Sequence, residues 1–117
     1  SINPMDVNNN RLHTAIRASK KHNCQVVLKG ARTIVSNGED CFINPTGNSG
    51  LASGGTGDVL SGIIAGLAAQ DMDILEASIC GVYLHGLAAD IAVDKTTEYG
   101  MTATDLFQYL PKAMKLL

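Results

Sequence analysis

Residues 47–70 run from a segment rich in glycine, serine and threonine directly into an apolar segment, GNSGLASGGTGDVLSGIIAGLAAQ. Gly55, Thr56 and Gly57 stand at the junction, and Asp58 follows them. A helix N-terminus exposes free backbone N–H groups and a partial positive charge, and glycines allow a phosphate to approach those donors closely. These residues therefore predict an anion-binding turn.

The turn differs from the two common nucleotide-binding motifs. No Lys-Ser or Lys-Thr pair follows the glycines, which excludes a Walker A loop. Leu60 stands where the dinucleotide-binding fingerprint requires its third glycine. The anion predicted here is therefore not held in either of those two ways.

Asp58 allows two interpretations, because a carboxylate beside a bound phosphate repels it. In the structural interpretation, Asp58 occupies the first turn of a helix, where the helix dipole stabilises an acidic residue by roughly 0.3–1 kcal/mol. In the functional interpretation, Asp58 accepts the proton of a substrate hydroxyl as that hydroxyl attacks phosphorus, while nearby amides hold the transferred group. The residues alone leave both interpretations open.

A second candidate segment, LKGART, follows a run of β-forming residues. Lys29 could contact a phosphate, Gly30 would permit close approach of the backbone to a ligand, and Thr33 offers a hydroxyl. A lysine at the end of a strand is more often simply solvated. The segment therefore supports a nucleotide site only in combination with the glycine-rich turn.

Other polar residues have a more common structural role beside the functional one. Asn44 and Asn48 flank the glycine-rich loop, and asparagine is a frequent turn former. His85 lies on the inner side of a predicted helix, where a packing histidine is more common than a catalytic one, and Asp90 could pair with it only loosely.

Composition excludes several classes of protein. The 117 residues carry a net charge of −2, and the nine lysines and arginines form no basic stripe, so a nucleic-acid partner is not expected. Cys24, Cys41 and Cys80 are widely spaced, which predicts reduced thiols serving as small core residues in a cytoplasmic protein. No residues have metal-ligand spacing, so no protein metal site is predicted.

No membrane span is predicted either. Ser61, Gly62 and Gly66 interrupt one apolar stretch, and His85 and Asp90 interrupt another. We therefore expect no apolar segment to reach the roughly 20 residues needed to cross a bilayer.

Three short segments rich in β-forming residues are predicted to be strands: QVVLKG, RTIVS and DCFIN. Asn37 and Gly38 lie between the second and third, and this pair favours a two-residue hairpin turn because both central positions need φ above zero. Residues 44–57 then lack periodicity and form a connection longer than most in a compact domain, which is typical of a functional loop.

Apolar residues at helical spacing predict helices on both sides of these strands. The first helix covers residues 8–22 and ends at Asn23. The second follows the anion-binding turn and contains Gly62 and Gly66, each costing about 1 kcal/mol relative to Ala. Close packing of another element, or of a ligand, must offset that cost.

Two further helices are predicted after residue 72. The third opens with Asp73 and Glu76, spaced as in a capping box, and extends to about Val93. The fourth begins near Thr104, and Pro111 is expected to break it into two turns. The order of elements is that of an α/β protein, with short β-strands and a hairpin followed by packed α-helices.

The segments GNSGLASGGTGDVL, VVLKGARTIV and YLHGLAADIA together resemble the ADP-dependent NAD(P)H-hydrate dehydratase family, the YjeF C-terminal-domain group of the ribokinase-like superfamily. The resemblance implies a ribokinase-like fold, of which this chain would be the C-terminal part. It also implies repair of hydrated (6S) NADH or NADPH. A phosphoryl group from ADP, or from ATP, with Mg²⁺, would pass to the hydrate hydroxyl, and elimination would restore the dihydronicotinamide.

The resemblance assigns roles to individual residues. Asp58 matches the catalytic carboxylate at the hydrate, and Gly55, Thr56 and Gly57 match the anion hole. Asn48 and Gly50 stand where the family has its GNxG turn, so Asn48 is also a candidate for substrate contact. The family's KGAxT nucleotide-binding segment is matched by Lys29, Gly30, Ala31, Arg32 and Thr33.

Departures from the family pattern concern the N-terminal side. Family members are longer, and SINPMDV does not match their TPHPGE-like substrate segment. We therefore expect one incomplete domain spanning residues 1–117, inactive alone, with half of a parallel sheet whose exposed edge favours a homo-oligomer. The expected partners are hydrated NAD(P)H, ADP and an epimerase, either fused or separate. The alternatives are another ribokinase-like small-molecule kinase and a nucleotide-binding fragment without activity.

Overall fold

The computed structural model describes residues 4–117, with side chains from Asn10 onwards. The chain forms two compact units, Ser1–Asn44 and Pro45–Leu117. Of the N-terminal segment SINPMDV, on which the comparison with the TPHPGE-like segment rested, residues 1–3 lie outside the described residues, and residues 4–7 are described by their backbone alone.

Unit 1 contains a helix and a small sheet. Helix α1 (Pro4–His22) starts four residues before the predicted position and ends as predicted, because Asn23 adopts the left-handed conformation with φ of 51°. The strands follow in the order that they take in the sheet: β1 (Val26–Leu28), β2 (Ile34–Ser36) and β3 (Cys41–Ile43). The helix packs against β1 and β2, and the residues of the central strand are all buried.

The strands of this sheet pair antiparallel throughout the described residues, in contrast to the expected half of a parallel sheet. The central strand aligns Val35 with Val27 on one side and with Phe42 on the other. The predicted hairpin between β2 and β3 is present, but its loop has four residues rather than two. Only Gly38 takes a positive φ, because the Asn37 side chain instead accepts hydrogen bonds from the Glu39 and Asp40 amides.

Unit 2 is helical. A 3₁₀ helix (Ser49–Ala52) interrupts the predicted loop, and α2 (Thr56–Ala68), α3 (Ile74–Val93) and α4 (Asp105–Lys115) follow. The central helix, α3, packs against both α2 and α4. Its buried positions include four alanines and two glycines, so the neighbouring helices can approach it closely. The main buried cluster joins these helices and comprises Val59, Leu84, Ala88, Ala89, Ala92, Met101, Leu106, Tyr109 and Ala113.

The start of α3 agrees with the sequence, whereas α4 differs in two respects. Asp73 caps α3 by accepting hydrogen bonds from the Leu75 and Glu76 amides. Helix α4 continues through Pro111 without the predicted break, because Pro111 is exposed and its missing N–H leaves only one outward carbonyl without a helical partner. The predicted cap, Thr104, makes no capping bond with its side chain.

The glycines that allow close packing lie on α3 rather than on α2. A Cβ at Gly62 or Gly66 would meet no described atom within 4 Å, so the predicted close approach is absent there. At Gly81 a Cβ would come within 2.6 Å of an Ile64 side-chain carbon, and at Gly86 it would overlap Thr46. The prediction failed because helical spacing does not show which face of a helix meets its neighbour.

Two expectations about individual segments are also corrected. Helix α3 is 20 residues long and apolar enough, by length and composition alone, to cross a membrane, although no such segment was expected. Half of its apolar window is buried against the rest of the chain, as in the core helix of a soluble protein, so this single helix is weak evidence for a span. The cysteines are free as predicted, but Cys24 is exposed rather than part of a core.

Candidate functional site

The N-terminus of α2 offers backbone donors to a ligand. Gly55 precedes the helix with φ of 90°, a left-handed conformation that residues with a Cβ rarely adopt. Within the part of the chain that the structure describes, the amides of Gly57 and Asp58 have no hydrogen-bond acceptor, and the Thr56 amide makes only a long 3.4 Å bond to the Ser53 carbonyl. The first turn of α2 can therefore bind an anion through its main chain.

Asp58 is exposed in this first turn and forms no hydrogen bond or ion pair with any other described residue. Its carboxylate is thus not committed to holding the fold together. An acidic group that is free at this position can accept a proton from a ligand, and it also benefits from the helix dipole. Both interpretations of Asp58 remain compatible with its surroundings.

The Thr56 side chain points into unit 2 and has a structural role. Its hydroxyl lies 2.6 Å from the Leu51 carbonyl and 3.0 Å from the Ser53 carbonyl, both in the loop before α2. The side chain is buried. Any contribution of Thr56 to an anion site can therefore come only from its backbone amide.

His85 supports the same turn from α3. It is 7% exposed, and its Nε2 lies 2.9 Å from the Thr56 carbonyl oxygen. A carbonyl only accepts hydrogen bonds, so Nε2 must carry the hydrogen in this contact. His85 is therefore a packing histidine that positions the start of α2, which is the commoner of the two roles considered from the sequence.

Asn48 holds the other end of the loop. Its Oδ1 accepts a hydrogen bond from the Gly50 amide at 2.9 Å and caps the 3₁₀ helix, while its Nδ2 donates to Asp90 Oδ1 at 3.0 Å. Gly50 itself is buried, and a Cβ there would come within 2.8 Å of the Met101 methyl group. The Asn48 and Gly50 positions therefore shape the loop.

Asp90 is a site residue that was not predicted from the sequence. Its second carboxylate oxygen accepts a hydrogen bond from the Gly47 amide at 3.0 Å, so Asp90 binds two consecutive residues of the loop and does not pair with His85 as considered. The available signal was its position, because Asp90 is the only acidic residue of α3 beyond the first turn. A carboxylate on an otherwise apolar helix needs a specific partner.

The connection between α3 and α4 adds two further ties to the loop. Ser53 Oγ donates to the Met101 carbonyl at 2.9 Å, and Ser49 Oγ donates to Glu98 Oε2 at 2.6 Å. The loop before α2 is thus hydrogen-bonded to α3 at both of its ends and to the connection between α3 and α4 in its middle. Its backbone is fixed in advance, as an anion-binding turn requires.

The predicted nucleotide-binding segment belongs to unit 1. Most of it is exposed, and only Thr33 is half-buried; the exposed residues are Lys29, Gly30, Ala31 and Arg32. Arg11 of α1 holds the segment from behind, because its Nη2 donates to the carbonyls of Leu28 and Lys29 at 3.4 and 3.3 Å. A Cβ at Gly30 would overlap that guanidinium, so a larger residue there would displace the flexible end of the Arg11 side chain.

The described residues contain no group of three or more His, Cys, Asp or Glu side chains that could hold a metal ion. A protein cage for Mg²⁺ is thus not found among them. Mg²⁺ in phosphoryl-transfer sites is bound mainly by substrate phosphates and water with one or two carboxylates, so the donor set here fits a metal that arrives with a nucleotide.

Comparisons with known proteins agree on one family. A family model described as NAD(P)H-hydrate dehydratase matches residues 2–112. The bifunctional NAD(P)H-hydrate repair enzyme Nnr of Thermofilum pendens is 41% identical over 113 residues, which cover 96% of this chain and 22% of that protein. The ADP-dependent (S)-NAD(P)H-hydrate dehydratase of Bacillus subtilis is 41% identical over 91 residues, 77% of this chain and 33% of that protein.

A solved structure is similar over nearly the whole chain. The ADP/ATP-dependent NAD(P)H-hydrate dehydratase from Bacillus subtilis, co-crystallised with ATP/Mg²⁺, superposes with a TM-score of 0.88 at 35% identity. The match covers 94% of this chain and 40% of that one. This chain therefore spans between a fifth and two fifths of the length of these relatives, and its fold is that of the corresponding part of the ribokinase-like dehydratase.

Proposed function

The chain belongs to the NAD(P)H-hydrate dehydratase family, and from this premise we propose that it takes part in the ADP-dependent dehydration of the hydrated (6S) form of NADH or NADPH. One observation of the structure supports this most directly. Two amides without acceptors, those of Gly57 and Asp58, lie in the same helical turn as a carboxylate that has no partner among the described residues.

The proposed reaction has two steps. The hydroxyl oxygen of the hydrate attacks the terminal phosphorus of ADP, the bond between that phosphorus and the bridging oxygen breaks, and AMP leaves. Phosphate is then eliminated with a proton from the adjacent carbon, which restores the double bond of the dihydronicotinamide. ATP would serve in the same way, with ADP as the leaving group, and Mg²⁺ accompanies either nucleotide to neutralise its phosphate charge.

Asp58 accepts the proton from the attacking hydroxyl in this proposal. The anion hole consists of the backbone at Gly55, Thr56 and Gly57, with the Asp58 amide as a further donor. General-base assistance by a positioned side chain contributes typically 10²–10⁴-fold, and the preset amides stabilise charge on the transferred group. Asn48 is proposed on the substrate side, where its remaining amide hydrogen and the loop that it caps would face the hydrate.

The nucleotide is proposed to contact the segment in unit 1. Arg11 binds the carbonyl of the first candidate residue, and the candidates are exposed or half-buried: Lys29, Gly30, Ala31, Arg32 and Thr33. The positive charges suit a diphosphate, and Gly30 permits close approach of the ligand to the main chain. We propose that both units belong to one ribokinase-like domain.

The wider setting is also a proposal. Curated relatives are named bifunctional repair enzymes, which supports an epimerase of NAD(P)H hydrate acting with this protein, whether fused or separate. Free cysteines support a location in the cytoplasm. Exposed apolar side chains support a homo-oligomer.

The test uses a chimera in which this chain replaces the matching part of the Bacillus subtilis dehydratase. Hydrated NADH and ADP are incubated with the chimera, and the return of absorbance of the reduced nicotinamide is followed. The Asp58→Asn variant is expected to lower kcat by at least about 10²-fold, because an amide cannot accept the proton. ADP binding, measured by calorimetry, is expected to remain.

Asp71→Asn provides the matched control, because Asp71 is exposed just after the other end of α2 and has no side-chain bond among the described residues. Full turnover by the Asp58→Asn chimera would contradict the assignment of Asp58 as the base. Phosphorylation of another small alcohol, without repair of the hydrate, would identify a different ribokinase-like kinase. ADP binding with no turnover on any substrate would identify a nucleotide-binding fragment without activity.

A further inference from the structure

We infer that Asp90 is a positioning residue for the anion-binding turn, acting through Asn48 and the loop between them. Asp90 is half-buried on α3 and is 42 residues away in sequence from Asn48. Both of its carboxylate oxygens are used, one by the Gly47 amide and one by Asn48 Nδ2. No residue of the anion hole is bound directly by Asp90, so its effect on the turn must pass through the loop.

Hydrogen bonds and the backbone of the 3₁₀ helix together form a continuous path to the start of α2. Asp90 fixes the orientation of the Asn48 amide, and Asn48 Oδ1 then holds the Gly50 amide. The 3₁₀ helix follows, and its Leu51 carbonyl accepts from the Thr56 hydroxyl at the first position of α2. Each link uses a buried or half-buried group, so none is readily replaced by water.

The same helix also holds the far end of the loop. His85 binds the Thr56 carbonyl, and it precedes Asp90 by five residues, which is roughly 7.5 Å along a helix axis. Helix α3 thus fixes the loop at Gly47 and Asn48 with one side chain and at Thr56 with another. The free amides of Gly57 and Asp58 follow directly after the second of these fixed points.

The direction of each bond makes a sharp test available. Asp90→Asn places an NH₂ group against one of two N–H donors, so one bond becomes a repulsion. Asn48→Asp places two carboxylates in contact. The double variant Asp90→Asn/Asn48→Asp restores all three bonds, with donor and acceptor exchanged only in the bond between the two side chains. The new amide at position 90 would accept from the Gly47 amide and donate to the new carboxylate at position 48, which still accepts from the Gly50 amide.

The effect of Asp90 on the structure of the turn can be measured even if the proposed function is wrong. An effect on turnover, in contrast, rests on the proposed function. The 117-residue chain and its variants are examined by amide NMR, with ADP added as the probe. Asp90→Asn is expected to shift the Gly57 and Asp58 amide signals and to speed exchange of the Gly50 amide. It should also weaken ADP binding by at least about tenfold, the scale expected for losing a hydrogen bond to a charged group.

The double variant is expected to recover most of the lost affinity and the slow Gly50 exchange. Asp94→Asn, four residues after Asp90 and exposed at the C-cap of α3, is the matched control and should change neither. If Asp90→Asn does not fold, recovery of folding and ADP binding in the double variant supports the inference, and failure of the double variant overturns it.

Two further results separate this inference from the proposed function. If the unmodified chain and the chimera do not bind ADP, the proposed function fails, while the amide signals of the variants still test the path. If ADP binds Asp90→Asn as well as the unmodified chain, with the Gly57 and Asp58 signals unshifted, the positioning role of Asp90 is wrong. In the chimera, which tests turnover and therefore rests on the proposed function, the positioning role predicts a lower kcat for Asp90→Asn than for Asp94→Asn.

Discussion

Gly54 and Gly55 are adjacent, and both are exposed, yet only Gly55 has a backbone conformation that disfavours a residue with a Cβ. Gly55 has φ of 90°, and a Cβ there would approach the Ala103 methyl group to 3.2 Å. A Cβ at Gly54 would meet no described atom within 4 Å, and Gly54 does not adopt a positive φ. The conformational freedom of glycine is therefore needed at only one of these positions.

The pair gives a matched test of the turn. Gly55→Ala is expected to lower the free energy of unfolding by about 1–2 kcal/mol, the cost of a left-handed conformation in a residue with a Cβ. Gly54→Ala should leave that free energy unchanged or raise it by less than about 1 kcal/mol, because it mainly restricts the unfolded chain. Urea denaturation of the two variants measures the difference. Equal stability would show that the backbone at residue 55 is not constrained as described.

For single residues, the sequence predicted the helix start at the turn better than it predicted the side chains that hold the turn in place. The succession of Gly55, Thr56, Gly57 and Asp58 indicated a helix start with free donors, because those features depend only on neighbouring residues. The two bonds of Asp90 to the loop join residues 43 and 42 positions apart, and the bond of His85 joins residues 29 positions apart. Spacing along the chain does not show such pairs, so Asp90 was missed.

The helices of unit 2 differ in how they use glycine. Helix α3 needs Gly81 and Gly86 where it meets Ile64 and Thr46, and Thr46 also donates to the Tyr83 carbonyl at 2.9 Å. Helix α2 has exposed glycines at which a Cβ would meet no described atom. A glycine inside a helix without a packing role only lowers the stability of that helix.

This difference predicts opposite effects of one chemical change. Gly66→Ala on α2 is expected to raise the free energy of unfolding by about 1 kcal/mol. Gly86→Ala on α3 should lower it by about 1–3 kcal/mol, because the Thr46 backbone carbon lies 2.6 Å from the new methyl group and cannot rotate away. Thermal or urea unfolding of both variants provides the measurement. A destabilised Gly66→Ala variant would mean that α2 has a neighbour not accounted for by the described contacts.

The helices and strands were largely predictable from the sequence, whereas a loop length, a helix continuation and a strand pairing were not. Apolar periodicity located the helices, and Asp73 and Asn23 marked a start and an end correctly, since capping depends on nearby residues. The four-residue hairpin loop, the continuous helix through Pro111 and the antiparallel pairing of β1 were not foreseen. Each of these features depends on which backbone groups are solvated or hydrogen-bonded in the folded chain. The order of amino acids alone does not determine which groups those are.

Several large apolar side chains are exposed to solvent at and after α4. Phe107 and Met114 lie outside on α4, 62% and 51% exposed, and Leu116 and Leu117 follow at the end of that helix. In the sheet of unit 1, β1 and β3 each have one neighbour among the described strands. Exposed apolar side chains and unpaired strand edges favour association between copies.

We therefore expect the 12.3 kDa chain to sediment as a dimer or larger species. Phe107→Ser should shift the equilibrium towards the monomer, because it removes an exposed aromatic side chain from the outer side of α4. Tyr99→Ser is the matched control, since Tyr99 is fully exposed but lies in the connection before α4. Sedimentation velocity over a concentration series makes the measurement. A 12.3 kDa species at every concentration would contradict the homo-oligomer.

The empty space around Gly54 makes the turn accessible to spectroscopy. A cysteine at this position could carry an environment-sensitive fluorophore close to the Gly57 and Asp58 amides, because its Cβ would displace no described atom. Replacing the exposed Cys24 by serine would leave only half-buried thiols to compete for the label. Arrival of a phosphate at the start of α2 would then be visible as a change in emission, even where no turnover takes place.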